Sequence, residues 1–437
     1  MATEQGPAGD PPVSDGAVVE PDLAPEAAQP PIALYLHVPF CVSQCPYCDF
    51  VVYAGAAARG PRSRVASLVG ALSTELRLRA DGLDGAFGPP DGRTRPVLDS
   101  LYLGGGTPSL LPPEAVGSLV ELVADRFGLA EDAEVTLECN PGPDERGDPA
   151  AWRAAGITRL SIGAQSLVPA ELRRLGRRHR PQDVAAAVRE SRAAGIASIG
   201  LDLLYDVPGQ ALADWMATLE GALDLAPDHL SLYALTLDDP DEEGLTGPDG
   251  DHLPTPAGAR RWRERARPEQ DEDRAAAMYH HAVHRLAEAG WHGYEISNWA
   301  RPGHQSRHNL AYWRRAPHEA AGPGAHAFDG ASRRWNAARL DGYLAALAPS
   351  DGSPPRLPPG GWEPSTPELA AAETVILGLR MDAGLPAGLG LEPPLAEVFG
   401  WALAAELVEV TGDDGDRRIR LTTRGRLLSN ELFARLV

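Results

Sequence analysis

Residues 35–50 read YLHVPFCVSQCPYCDF, and three of the chain's four cysteines fall inside this stretch: Cys41, Cys45 and Cys48. Their spacing is C-x3-C-x2-C. Thiolate sulfur is a soft ligand, and three thiols this close suit an iron–sulfur cluster or zinc. Three ligands on a four-iron cubane would leave one iron without a protein ligand, open to a substrate or cofactor. The residues alone also allow a structural zinc with His37 as fourth ligand, or a chance grouping of buried thiols. The run Ile32 to Val38 is apolar, with the aromatic and β-branched content of a buried strand. The cysteines then sit on a loop just after a strand, where α/β folds carry their chemistry.

Upstream, residues 1–30 hold six acidic residues, no basic ones and many Pro, Ala and Gly, which predicts a disordered leader. Downstream, Arg64 to Leu83 has helical spacing. Pro96 to Leu103 reads as a strand that ends in GGGTP, Gly104 to Pro108. Glycines there let the backbone approach a ligand, or simply make a tight turn. Glu114 to Phe127 reads as a helix and Ala133 to Cys139 as a strand with Glu138 at its end. A carboxylate at that place can hold a cationic amine or ribose hydroxyls, or pair with an arginine. Ile157 to Gly163 is the next strand, followed by Gln165 and a predicted helix from Glu171 to Arg178 that carries Arg177. Asp183 to Gly195 reads as a helix. Ile199 to Val207 is a strand with Asp202 inside it, where an acid is costly unless partnered. Leu212 to Leu225 and His229 to Leu235 close the series as helix and strand.

Strand and helix thus alternate about six times between residues 32 and 235, which predicts an α/β fold with a parallel sheet and helices outside. Six strands and no dinucleotide glycine fingerprint favour a partial (β/α)6 barrel over a doubly wound sheet. The expected organisation is a barrel at 31–293 with a loop insertion at 240–272, then a His- and aromatic-rich segment at 294–348. A Pro/Gly linker at 349–364 and a C-terminal α+β domain at 365–437 follow. Ser365 and Glu368 have the spacing of a capping box. In the His-rich segment His304, His308 and His326 stand out as candidate ligands; hydrogen bonding to loop backbone accounts for them equally well.

The chain carries 40 basic against 61 acidic residues, a net charge of −21, which argues against a nucleic-acid or anionic-membrane surface. Every basic residue apart from histidine is arginine, so a lysine Schiff base and a Walker-type lysine are excluded. Clustered free thiols imply a reducing compartment, and no apolar run approaches the roughly 18 residues that would span a bilayer. The expected location is cytoplasmic, with no transmembrane segment and no nucleic-acid partner.

With these motifs in view, YLHVPFCVSQCPYCDF resembles the cluster motif of the radical S-adenosylmethionine superfamily. It is most similar to the branch that holds the oxygen-independent coproporphyrinogen III dehydrogenases and the HemW heme chaperones. The resemblance implies a 4Fe–4S cluster on Cys41, Cys45 and Cys48, with S-adenosylmethionine on its open iron. It places cofactor contacts at Gly105, Gly106, Thr107, Glu138, Gln165, Arg177 and Asp202, with Tyr35 and Tyr47 flanking the site, and a winged-helix-like C-terminal domain. The dehydrogenase motif continues after its third cysteine with C-x-C. Here Asp49 and Phe50 follow Cys48, a departure that points to the heme chaperone branch and to heme as a carried ligand, and the resemblance of the segment after the barrel makes His304, His308 and His326 the candidate heme-iron ligands. The resemblance then implies a heme-acceptor protein, such as a respiratory enzyme, and an electron donor it does not identify. A radical enzyme acting on a tetrapyrrole is the alternative.

Overall fold

A computed structural model describes residues 27–413 and 416–436. The expected acidic leader falls mostly on residues 1–26, outside the described residues. Six strands follow one another with helices between them: β1 (Ala33–Val38), β2 (Leu98–Gly105), β3 (Leu129–Cys139), β4 (Arg159–Gln165), β5 (Ser198–Tyr205) and β6 (His229–Ala234). Each pairs in parallel with the next. The returns are made by α1 (Val65–Phe87), α2 (Pro113–Phe127), α3 (Pro149–Ala154), α4 (Pro169–Arg174), α5 (Pro181–Ala193) and α6 (Leu212–Asp224). This is the expected partial (β/α)6 barrel.

Alternate residues of the strands share a face. Leu34 and Leu36, Leu101 and Leu103, Leu160 and Ile162, Leu201 and Leu203, and Leu230 and Leu232 are buried against the helices in one core. Successive side chains point to opposite faces of a strand, so the residues between these face the barrel interior. Many of them are polar, Tyr102, Glu138, Ser161, Asp202 and Ser231 among them. Barrels filled with branched apolar side chains are solid; this one is lined for a polar ligand.

The chain continues through α7 (Ala257–Ala266) and α8 (Glu272–Glu288). β7 (Asn298–Ala300) then pairs antiparallel with β6, and α9 (Arg307–Trp313) follows it. β8 (His318–Ala321) lies parallel to β1 on its free edge. β9 (His326–Phe328), β10 (Ser332–Asn336) and β11 (Gly360–Pro364) extend that side antiparallel, with α10 (Leu340–Leu347) between the last two. Among the described residues twelve strands form one sheet. The segment 294–348 therefore completes the barrel sheet.

Three expectations change. Residues 240–272 contain α7, whose buried residues are Ala259, Arg263 and Ala266; an arginine on the buried face hid the apolar period. The linker at 349–364 ends in β11, where Gly360 and Gly361 lie flat against Trp335. The capping residue of α11 (Pro367–Arg380) is Thr366, whose hydroxyl accepts from Leu369 N at 3.2 Å, while Ser365 accepts from Arg315 at 2.6 Å. Beyond α11 a hairpin (Val408–Thr411 with Arg418–Leu421) takes Leu385–Pro386 as a third strand and packs on its own core of Leu379, Phe399, Ile419 and Leu432. These helices and this hairpin form a small α+β unit at the C-terminal end. Among the described residues no helix is long and apolar enough to cross a membrane.

Candidate cofactor site at the carboxyl ends of the barrel strands

β1 delivers the cysteine loop to the carboxyl end of the barrel, and the glycines at the end of β2 make room for it. A Cβ on Gly105, whose φ is +108°, would meet the His37 ring at 2.4 Å. One on Gly106 would meet the Phe40 carbonyl oxygen at 2.7 Å. Gly106 N donates to Val38 O at 2.9 Å and Thr107 N to Phe40 O at 2.7 Å. Gly105 N donates to Glu138 at 2.9 Å. The amides of the glycine run thus hold the cysteine loop and Glu138.

A chain of polar contacts joins two of the thiols. Cys41 Sγ lies 3.3 Å from Thr107 Oγ1, which accepts from Asn140 Nδ2 at 3.0 Å. Arg177 donates to the Asn140 side-chain oxygen, to Gly163 O at 2.8 Å and, through Nη1, to Cys45 Sγ at 3.6 Å. Arg177 does not lie on a helix as its sequence suggested. α4 ends at Arg174, and Gly176 at φ +70° turns the chain so that Arg177 points inward. Burial pushes the Cys41 thiol up to about 11, against the Thr107 contact, and raises Cys48 as well. Buried thiols of this kind ionise when a metal takes up the charge.

Single-ion coordination does not fit. A zinc needs its sulfurs at about 2.3 Å from one centre. Among the described residues no three His, Cys, Asp or Glu side chains converge in that way. His37 is also engaged at both ring nitrogens, with Tyr35 OH at 3.0 Å and Val51 O at 3.0 Å, and burial lowers it to about 4. A cubane takes each thiolate on a different iron, so its ligands need not converge on one point. Arg177 Nε is buried with no partner, an N–H left over for an anionic group in the cavity.

The cavity measures about 540 Å³ and is lined by the three cysteines, Tyr47, Gly105, Gly106, Glu138, Gln165, Arg177 and Asp202. Glu138 accepts from Tyr102 O–H at 2.8 Å and from Gly105 N–H. Burial lifts its carboxyl to about 7, with Asp202 adding to the rise and the two hydrogen bonds opposing it. Asp202 accepts from Ser161 Oγ at 3.0 and 3.1 Å, and burial raises it too. Neither carboxylate has a salt-bridge partner among the described residues. Two buried acids left this way favour a cationic ligand, which a sulfonium and an ammonium supply. Gln165 sits at a register shift in β4 with φ +64°, unusual for a residue with a side chain.

Tyr35 and Thr107 stand behind this lining. Tyr35 bonds to His37 and its ring lies 6.1 Å from that of Tyr102, while Thr107 is 1% exposed and faces Cys41. The three histidines lie in three places. His304 is at the opposite, amino-terminal mouth of the barrel, with Nδ1 on Ser198 Oγ at 3.1 Å. His308 is buried, with Nδ1 on Ser100 Oγ at 2.9 Å and Nε2 on Tyr312 OH at 2.8 Å. His326 is 47% exposed, stacks on Trp335 and bonds to Asp251 at 2.8 Å. Sequence reasoning missed Tyr102, Ser161, Ser231 and Asn140. The alternation of polar residues with leucine or isoleucine in SLYLG, RLSIG and HLSLY was the signal for the first three.

The fold and this cavity define a radical S-adenosylmethionine protein. The Radical SAM superfamily model matches residues 92–222, a span that begins downstream of the thiols. Across 419 residues the chain is 39% identical to the heme chaperone HemW of Mycobacterium tuberculosis strain H37Rv, covering 95% of this chain and 97% of that one. It is 35% identical over 299 residues to HemW of Escherichia coli, covering 68% and 70% of the two chains. It is 38% identical over 306 residues to the mouse mitochondrial radical S-adenosyl methionine domain-containing protein 1, covering 69% and 62%. Coproporphyrinogen III oxidase (HemN) from Escherichia coli has the same fold, with a TM-score of 0.72 at 21% identity over 93% of this chain and 90% of that one. Within the superfamily, the chain belongs to the HemW family of heme chaperones.

Proposed function

We propose that this protein binds heme and delivers it to an acceptor protein, while Cys41, Cys45 and Cys48 hold a 4Fe–4S cluster beside bound S-adenosylmethionine. The observation that carries the reading is likeness to a heme chaperone across 95% of this chain and 97% of that relative. It agrees with Asp49 and Phe50 standing where the dehydrogenase motif has its further cysteine. A respiratory enzyme is the acceptor we favour.

The chain's own residues divide the work around the cofactors. Thr107, Asn140 and Arg177 tie Cys41 and Cys45 into one frame. Glu138 and Asp202 supply the negative charge that a sulfonium and an amino group need. Tyr102 and Ser161 orient those carboxylates through their hydroxyls. With both groups bound, Cys41, Cys45 and Cys48 would hold a cluster able to supply one electron to the sulfonium. For heme iron, His326 is our first choice of ligand: it is the most accessible of the three histidines, whereas both nitrogens of His308 are engaged inside the barrel.

The test is to reconstitute the protein anaerobically, measure heme stoichiometry and transfer to an apo-acceptor, and assay coproporphyrinogen turnover beside it. Transfer without decarboxylation is expected. Turnover without heme retention would reject the chaperone in favour of a tetrapyrrole radical enzyme.

A further inference from the structure

α7 passes over the cysteine loop, and its buried face carries a charge. Arg263, in the middle of the helix, is 4% exposed. Its guanidinium meets no carboxylate among the described residues. It donates instead to three backbone carbonyls: through Nε to Pro46 O at 3.2 Å, through Nη2 to Cys48 O at 3.0 Å, and through Nη1 to Asp238 O. Pro46 and Cys48 belong to the cysteine loop, more than 200 residues away in the chain. The same helix contributes Ala266 and Trp262 to an apolar cluster that also takes in Tyr47, Leu175 and Leu235. On the other side, Pro46 abuts Gly176, where a Cβ would come within 3.0 Å of its ring. The segment between Cys45 and Cys48 is therefore gripped between α7 and the turn that follows α4.

A buried cation with no counter-ion is unfavourable unless negative charge stands nearby. Three thiolates on a cluster would be such a charge, and it grows by one when the cluster takes up an electron. We propose that Arg263 is the positioning residue of the cysteine loop: it fixes the carbonyls of Pro46 and Cys48, and its charge raises the reduction potential of the cluster those thiols hold. Nearby positive charge and hydrogen bonding are established levers on cluster potential. Arg177 acts on the same loop from the opposite side, through the Cys45 sulfur. The second half of the proposal rests on the cluster reading above; the first half does not.

The experiment compares wild type, Arg263→Gln and Arg263→Lys. Reconstituted proteins are titrated with dithionite under EPR, each electron supplied by the titrant reducing one cluster. Cluster-free proteins are followed by hydrogen exchange across residues 41–50. Arg263→Gln should lower the potential and speed exchange of the loop amides roughly tenfold or more. Arg263→Lys should keep the wild-type potential while its loop still exchanges faster, because a lysine cannot reach three carbonyls at once. An unchanged potential in Arg263→Gln, or an equal fall in both variants, would overturn the electrostatic role. Unchanged exchange in both variants would overturn the positioning role. If Arg263→Gln fails to fold, Arg263→Lys alone decides: wild-type potential with faster exchange supports the proposal, and a fallen potential or unaltered exchange overturns it. Wild type that takes up no iron would instead refute the proposed function, and the exchange comparison would still decide whether Arg263 holds the loop.

Discussion

Replacing Glu138 with Gln should make the cofactor-free protein more stable above neutral pH and weaken its hold on S-adenosylmethionine. Burial lifts the Glu138 carboxyl from the ordinary 4.5 to about 7. The folded value lies above the unfolded one, so the group costs nothing below pH 4.5, where it is protonated in both states. The cost grows as pH rises and is complete above 7. At pH 8 it amounts to about 3 kcal/mol. The amide carries no charge, but its NH2 cannot accept the bond now given by Gly105 N–H or Tyr102 O–H, a loss of about 1 kcal/mol. The variant should therefore be about 2 kcal/mol more stable at pH 8, and about 1 kcal/mol less stable near pH 4.5. Thermal melts of the cluster-free protein at the two pH values should move in opposite directions, by a few degrees each. Calorimetry on the reconstituted protein should show S-adenosylmethionine binding weakened by roughly 10- to 100-fold, the worth of one charged hydrogen bond. A variant that melts lower than wild type at pH 8 would mean that Glu138 is a satisfied structural charge, and the functional argument for it would fail.

Other outcomes follow from the same geometry. S-adenosylmethionine affinity should be flat above about pH 7.5 and fall by up to about tenfold per pH unit below 7, because the ligand then displaces a proton from Glu138; Glu138→Gln should abolish that slope. Gly106→Ala should lose iron with all three cysteines intact, since its Cβ would stand 2.7 Å from Phe40 O and push the loop outward, a strain of about 1–3 kcal/mol; iron analysis after reconstitution checks it. His326→Ala should remove the heme Soret band while leaving iron–sulfur absorption unchanged, and His304→Ala at the far mouth of the barrel should leave both. A His326→Ala protein with wild-type heme spectra would move the ligand elsewhere.

The barrel was legible because each strand is a short apolar run closed by a glycine, an acid or a proline, and each helix has a clear apolar stripe. The cysteine loop was legible because three thiols in eight residues have few other uses. What stayed hidden depends on pairing across the sheet. Nothing local says that Tyr102 will meet Glu138; parallel β2 and β3 bring them together. The glycines of GGGTP signalled close approach, but the approaching groups are largely His37 and Phe40 rather than a ligand. Arg177 read as a helical residue because its inward turn depends on Gly176. α7 read as loop because Arg263 occupies the place of an apolar residue, and its partners lie more than 200 positions upstream.

Everything functional here depends on three sulfurs each holding a separate iron. Iron and acid-labile sulfide, counted per chain after anaerobic reconstitution, test that directly. We expect about four of each in wild type, and neither in Cys45→Ser. One zinc per chain with no sulfide would contradict the account.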